Sequence, residues 1–271
     1  MKTVFEESDI HSIPLIELQR EKFTLVVAAA GNGTRLNFDK PKILYPVCQR
    51  TILEWLIKNF ESFVSHYVFV VSPTGKNLIE QKINEIGVSN FKLAIQHTPI
   101  GMGNAVKCSF PFISTPYTII AWGDQVAIQP KSIHCLIKAF LHSDAKAAFI
   151  SKKIDSPYIH FIRNSENIIV DILQRREGDA MPDQGETDAG LFVFKTNVLI
   201  EELDQFLNDK KCLGKLTHEE NFLPILPLID RKLGDIVTSH VIESGEMMGI
   251  NNETDAENVK RFFQKKGICQ E

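Results

Sequence analysis

Phe23-Thr-Leu-Val-Val-Ala-Ala-Ala30 is an almost unbroken apolar run that leads straight into Gly31-Asn-Gly33. Such a run suits a strand buried on both faces, and strands of that kind belong to parallel sheets covered by helices. The residues that follow keep to the same plan. Leu53, Leu56, Ile57, Phe60 and Phe63 recur at helical spacing, 67–71 reads as a second strand, and Leu78, Ile79, Ile83 and Ile86 mark a second helix closed by Gly87. Strands over 91–96 and 117–122 flank a short helix from about Asn104, and a helix over 131–142 precedes a strand over 147–150. This alternation predicts an α/β protein with right-handed βαβ units, a mostly parallel central sheet and helices on both faces. Beyond residue 150, segments 158–162, 168–173 and 191–194 read as strands with little helix between them, a small antiparallel addition. Helices near 197–208 and 219–233 follow, the second interrupted by Pro224 and Pro227, then a strand over 236–242 and a terminal helix near 254–266. The polar, weakly periodic residues 1–22 read as an N-terminal extension, and 23–271 as one domain.

Charge and cysteine usage narrow the function. A formal net charge of −4 lacks the basic surplus of a nucleic-acid binder, so any phosphate-binding surface is a local cluster of Lys and Arg. The five cysteines, Cys48, Cys108, Cys135, Cys212 and Cys269, lie far apart with no CxxC pair, which predicts reduced thiols in a cytoplasmic protein. No apolar run approaches the roughly 18 residues of a membrane span, and Glu6, Glu7 and Asp9 do not read as a signal peptide. Neither nucleic acid nor membrane is an expected partner, and the oligomeric state is left open.

The chemistry concentrates where strands end. In Ala29-Ala30-Gly31-Asn-Gly33-Thr-Arg35-Leu36, with Pro41-Lys42 downstream, two glycines allow close backbone approach and can aim several N–H groups at one anion. Arg35 and Lys42 add positive charge beside the same phosphates. Leu36 stands where a dinucleotide fingerprint has its third glycine, and no Gly-Lys-Ser/Thr follows at P-loop spacing. The competing reading is a glycine-rich turn with solvated Arg and Lys. Asp124 ends a strand at the carboxyl edge of the sheet, where its hard oxygen suits Mg²⁺ or simply terminates a turn. Gln96 also closes a strand; its amide pairs with O4 and N3–H of uracil or thymine and, flipped, with cytosine. Gly101 and Gly103 would let backbone lie against a flat base.

Taken together, residues 25–46 resemble the signature of the sugar-phosphate nucleotidyltransferases, above all the uridyltransferase domain acting on N-acetylglucosamine 1-phosphate. Gln96-His-Thr-Pro-Ile-Gly-Met-Gly-Asn-Ala105 is similar to that family's base-binding glutamine and glycine-rich loop, Trp122-Gly-Asp124 to its metal-binding Gly-Asp, and Gly249-Ile-Asn-Asn252 to its Gly-Val-Asn-Asn element. Glu220-Asn-Phe-Leu is similar to the stretch before the family's penultimate helix, so the likeness spans 23–266. It implies a Rossmann-like nucleotide-diphospho-sugar transferase fold. It also implies transfer of a nucleoside monophosphate from a nucleoside triphosphate (UTP or dTTP favoured) to a sugar 1-phosphate, with Mg²⁺ as cofactor and pyrophosphate leaving. The implied roles are Arg35 and Lys42 in catalysis, Asp124 and Asn251 as metal ligands, and Ala29, Ala30, Gly31, Gly33, Gln96, Gly101 and Gly103 around the nucleotide.

Departures cluster later. The family's sugar-binding glutamate aligns with Gln174 and its sugar-binding asparagine with Asp188, so the acid and the amide are exchanged, which predicts a preferred sugar other than N-acetylglucosamine. Arg175 and Arg176 follow Gln174 and read either as phosphate contacts or as a solvated turn. The alternatives are a cytidylyl- or guanylyltransferase of the same fold and a catalytically idle regulatory homologue. The C-terminal hexapeptide-repeat acyltransferase domain that such relatives often carry is not expected, because the chain stops after the terminal helix.

Overall fold

The computed structural model of the chain describes residues 3–14, 17–31, 33–209, 212–233 and 236–269. It begins with β1 (Val4–Phe5) and α1 (Glu7–Ser12). The apolar run forms β2 (Phe23–Ala28), with Leu25 and Val27 in one hydrophobic core and Val26 in the other. That alternation is what a strand covered on both sides requires. A hairpin of β3 (Pro46–Val47) and β4 (Arg50–Thr51) leads into α2 (Ile52–Phe60), started by reciprocal bonds. Glu54 N–H donates to Thr51 Oγ1 at 3.2 Å while Thr51 N–H donates to Glu54 Oε2 at 2.7 Å. β5 (His66–Val71), α3 (Lys76–Ile86), β6 (Phe91–Ile95), α4 (Met102–Ser109), β7 (Tyr117–Trp122) and α5 (Pro130–Ser143) complete the alternating half. β8 (Ala147–Asp155), β9 (Ile159–Arg163), β10 (Ile169–Gln174), β11 (Gln184–Lys195), α6 (Thr196–Leu207), α7 (Ile225–Leu233), β12 (Ile236–Ser239) and α8 (Glu253–Lys265) follow.

Among the described residues, eight strands form one sheet in the order β1-β12-β8-β11-β7-β2-β5-β6. β11 runs antiparallel to both neighbours and the other pairings are parallel. A separate antiparallel ribbon joins β9 and β10. Apolar residues of α2, α3, α5 and α8 fill one core, and those of α4, α6 and α7 the other. The expected architecture, a mostly parallel sheet with helices on both faces and an antiparallel addition, is the one observed. At its edge, Val4 and Phe5 pair in parallel with Thr238 and Ser239, inside the segment read as an extension.

Several boundaries differ for identifiable reasons. β8 and β11 extend well beyond 147–150 and 191–194, pairing Gln184 with Asp155 through Asp188 with Ser151. The added β11 residues alternate between buried and partly exposed, and those of β8 lie partly or fully exposed beyond Ser151, so the apolar signal marks only the central section. Of the helix expected over 219–233 only α7 forms, beginning directly after Pro224 and holding Pro227 in its first turn, where a missing N–H costs little. Cys48 and Cys269 form a disulfide with Cα atoms 6.3 Å apart, which corrects the expectation of five reduced thiols. Their separation of 221 residues hides the pairing from any spacing rule.

Candidate active site

β2 lies between β5, its successor in the alternating half, and β7, reached only after two further crossovers. The chain direction of travel thus reverses at β2, and a crevice opens at the carboxyl ends of β2 and β7. Ala28 pairs with Trp122 at that end, and Gly123 N–H donates to the Ala28 carbonyl at 3.2 Å. A Cβ on Gly123 would fall 2.3 Å from that oxygen, so the approach of the two strand ends needs glycine.

The crevice is a cleft of about 320 Å³. Ala29, Ala30, Gly31, Lys42, Gln96, Gly101 and Asp124, all singled out from the sequence, line it together with Met102 and Trp122. Lys42 Nζ sits 2.7 Å from Asp124 Oδ2 and 3.1 Å from Asn251 Oδ1. Residues separated by as many as 209 positions therefore meet at one ammonium group. The Asn251 segment is tied to Asp124 because Ile250 N–H donates to the Asp124 carbonyl at 3.1 Å. From the other side, the Asp255 carboxylate accepts from the N–H groups of Asn251 and Asn252 at the start of α8.

Gln96 is buried, and its Nε2 donates to Gly101 O at 3.0 Å and Asn104 Oδ1 at 3.2 Å. Both amide hydrogens thus have protein acceptors, so Gln96 can meet a base only with its oxygen rather than with a donor–acceptor pair. Gly101 holds φ +131°, and a Cβ there would fall 2.4 Å from Glu220 O. Gly103 N–H donates to Glu220 O at 2.8 Å and Glu220 N–H to Ile100 O at 2.6 Å. The glycines read as a platform for a base are thus also where this loop meets the loop before α7, and Gly103 lies buried outside the cleft lining.

Not every candidate faces the cleft. Gly33 is buried against the carbonyls of Phe38 and Lys40. Arg35 is exposed on the Thr34–Leu36 turn, outside the cleft lining, and forms no ion pair with a described residue. Gln174 is buried at the end of β10, in a second pocket of about 510 Å³ shared with Glu177, Asp179 and Lys215. Asp188 sits where the β11–β8 register shifts, and its Oδ1 accepts from Gly190 N–H at 2.7 Å. Surrounding protein pushes its carboxyl up to about 6, and the charge of nearby Asp124 adds to that rise.

On the rim, Arg176 Nη2 pairs with Glu219 Oε1 at 2.8 Å, and both residues line the cleft. Arg175 instead donates to Ser156 Oγ and Pro157 O. Glu219 carried no signal in the sequence, because a lone acid in an irregular loop becomes a cleft residue only through the clasp at Glu220.

Fold and cleft together define an α/β protein of the class that binds nucleotides at the topological switch point. The chain belongs to the MobA-like NTP transferase domain family, whose model matches residues 25–213. It is 26% identical over 247 residues to bifunctional protein GlmU of Staphylococcus saprophyticus, covering 89% of this chain and 52% of that protein. GlmU of Clostridium perfringens is 23% identical over 245 residues, with the same two coverages. The chain thus spans about half the length of these relatives. Among solved structures, a CMP:2-keto-3-deoxy-manno-octonic acid synthetase complexed with CTP superposes with a TM-score of 0.67 at 15% identity, covering 91% of this chain and 100% of that one. The inositol-1-phosphate CTP transferase from T. maritima gives 0.63 at 17%, covering 92% and 98%. These structures share the fold. Among the described residues, no helix is long and apolar enough to cross a membrane.

Proposed function

We propose that this cleft transfers a nucleoside monophosphate from a nucleoside triphosphate to a sugar 1-phosphate. The observation that carries the reading is the convergence of Lys42, Asp124 and Asn251 beside the glycine loop. An oxygen of the sugar phosphate attacks the α-phosphorus, the bond from that phosphorus to the bridging oxygen of the β-phosphate breaks, and pyrophosphate leaves. The nucleophile is an anion near neutral pH, so catalysis rests on alignment and on neutralising charge between two polyanions. Lys42 and, from the exposed turn, Arg35 supply positive charge, and the backbone of Ala29, Ala30 and Gly31 approaches the phosphates, while Gly33 holds the turn that carries Arg35. The Gln96 oxygen accepts from N3–H of uracil or thymine, the reading behind UTP or dTTP as donor, and it would equally accept from N4–H of cytosine. The sugar-side reading rests on Asp188, since Gln174 lines the other pocket.

Mg²⁺ fits the donors present. Two oxygens, one carboxylate and one amide, already converge on a cation, the Lys42 ammonium. Among the described residues no three His, Cys, Asp or Glu cluster to hold a metal by themselves, here or elsewhere, and Mg²⁺ takes most of its oxygens from phosphates and water. Bound there by Asp124 and Asn251, it would neutralise triphosphate charge. The test is pyrophosphate release across a panel of nucleoside triphosphates and sugar 1-phosphates. Release is expected with UTP or dTTP, with a sugar other than N-acetylglucosamine preferred. Excess chelator should abolish it, and Asp124→Ala should lower kcat on the order of 10²-fold. Undiminished turnover in chelator, or in Asp124→Ala, overturns the metal assignment, and no release with any pair overturns the reaction.

A further inference from the structure

We infer that Lys42 keeps the divalent-cation position closed until a triphosphate arrives, so that the cation enters with the nucleotide and not before it. This rests on the proposed reaction. The Lys42 ammonium occupies the space where the Asp124 and Asn251 oxygens converge, at 2.7 and 3.1 Å. Mg²⁺ draws its oxygens to about 2.1 Å, so ammonium and metal cannot occupy that space together. Their charges also repel across a site where, among the described residues, Asp124 is the only acid paired with the ammonium.

With Lys42 in place the donor pair carries no net negative charge, and a bare cation gains little by entering. A triphosphate changes both sides of the exchange. It offers Lys42 several anionic oxygens in place of one carboxylate oxygen, and it brings the cation most of the oxygens that the protein lacks. Lys42 is built for such a move. Its N–H donates to Gly31 O at 3.2 Å, and its Cε lies 4.0 Å from where a Gly31 Cβ would stand. The side chain therefore runs along the glycine loop, and rotation about its own flexible stem carries the ammonium between the acid and that loop without moving backbone.

The experiment measures Mn²⁺ binding by electron spin resonance in wild type, Lys42→Met, Lys42→Arg and Asp124→Asn, with and without α,β-methylene UTP. Without nucleotide, Lys42→Met should bind Mn²⁺ about tenfold or more tighter than wild type, the consequence of removing one positive charge beside a part-exposed carboxylate. Lys42→Arg should stay closed. The nucleotide analogue should raise the affinity of both wild type and Lys42→Met and abolish the difference between them, and Asp124→Asn should bind more weakly than wild type with the analogue present. If nucleotide-free wild type or Lys42→Arg binds Mn²⁺ as tightly as Lys42→Met, the closure is refuted while the metal site stands. If Asp124→Asn binds no worse than wild type in the presence of the analogue, the metal site itself is refuted, and the closure with it. Lys42→Gln, checked by circular dichroism, stands in should Lys42→Met fail to fold.

Discussion

Asp188 shows how one side chain couples the candidate site to stability. Its folded carboxyl titrates at about 6 against 3.8 for the free side chain. Between those values the folded chain holds a proton that the unfolded chain has released, so stability falls as pH rises through this window. Above it the ionised form costs on the order of 1–3 kcal/mol, less whatever its remaining solvent contact screens. Asp188→Asn should therefore raise the melting temperature more at pH 8 than at pH 4.5. Equal increments at the two pH values, measured by calorimetry, would show that the carboxyl is not perturbed. The same residue illustrates what a sequence can carry. Its identity and its exchange with Gln174 are legible along the chain, but the surroundings that raise its carboxyl come from the β11 irregularity and from Asp124, more than sixty residues away.

At the scale of elements, α4 and the loop before α7 form one assembly. Gly101 combines φ +131° with backbone of Glu220 at 2.4 Å from a hypothetical Cβ, and its carbonyl accepts from Gln96. Gly101→Ala forces the two loops apart and disturbs the Gln96 amide at once. The backbone strain alone costs on the order of 1–3 kcal/mol, and KM for the nucleotide should rise. Gly87 is the control: it also has positive φ (+84°), but nothing lies within 4 Å of its Cβ position. Gly87→Ala should destabilise the fold while leaving KM unchanged. Equal effects of the two substitutions on KM would remove the loop clasp from the argument.

For the molecule as a whole, the Cys48–Cys269 disulfide ties the β3–β4 hairpin, which follows Lys42, to the end of α8, which follows Asn251. Trp55 packs on Phe263 at 4.7 Å across the same junction, and its Nε1 donates to Val47 O at 2.9 Å. Closing so long a loop restricts the unfolded chain, so reductant or Cys48→Ser should lower stability by roughly 2–4 kcal/mol. Non-reducing peptide mapping should recover the linked pair, with the buried Cys135 and Cys212 alkylated only after unfolding and the partly exposed Cys108 before it; finding Cys48 and Cys269 both free would discard the link. Burial pushes the thiols of Cys108, Cys135 and Cys212 up, which disfavours the nucleophilic thiolate. The sequence by itself determined the layered α/β plan and the strand ends that carry chemistry, because buried strands and their glycine turns are local patterns of apolarity and backbone freedom. It also named Lys42, Asp124 and Asn251, through resemblance to a family. Only the tertiary structure decided that these three meet at one ammonium, that Gln96 spends its donors on Gly101 and Asn104, that Gln174 lines another pocket and that Cys48 reaches Cys269. Each of those depends on strand order and loop packing, which bring together residues that no local pattern links.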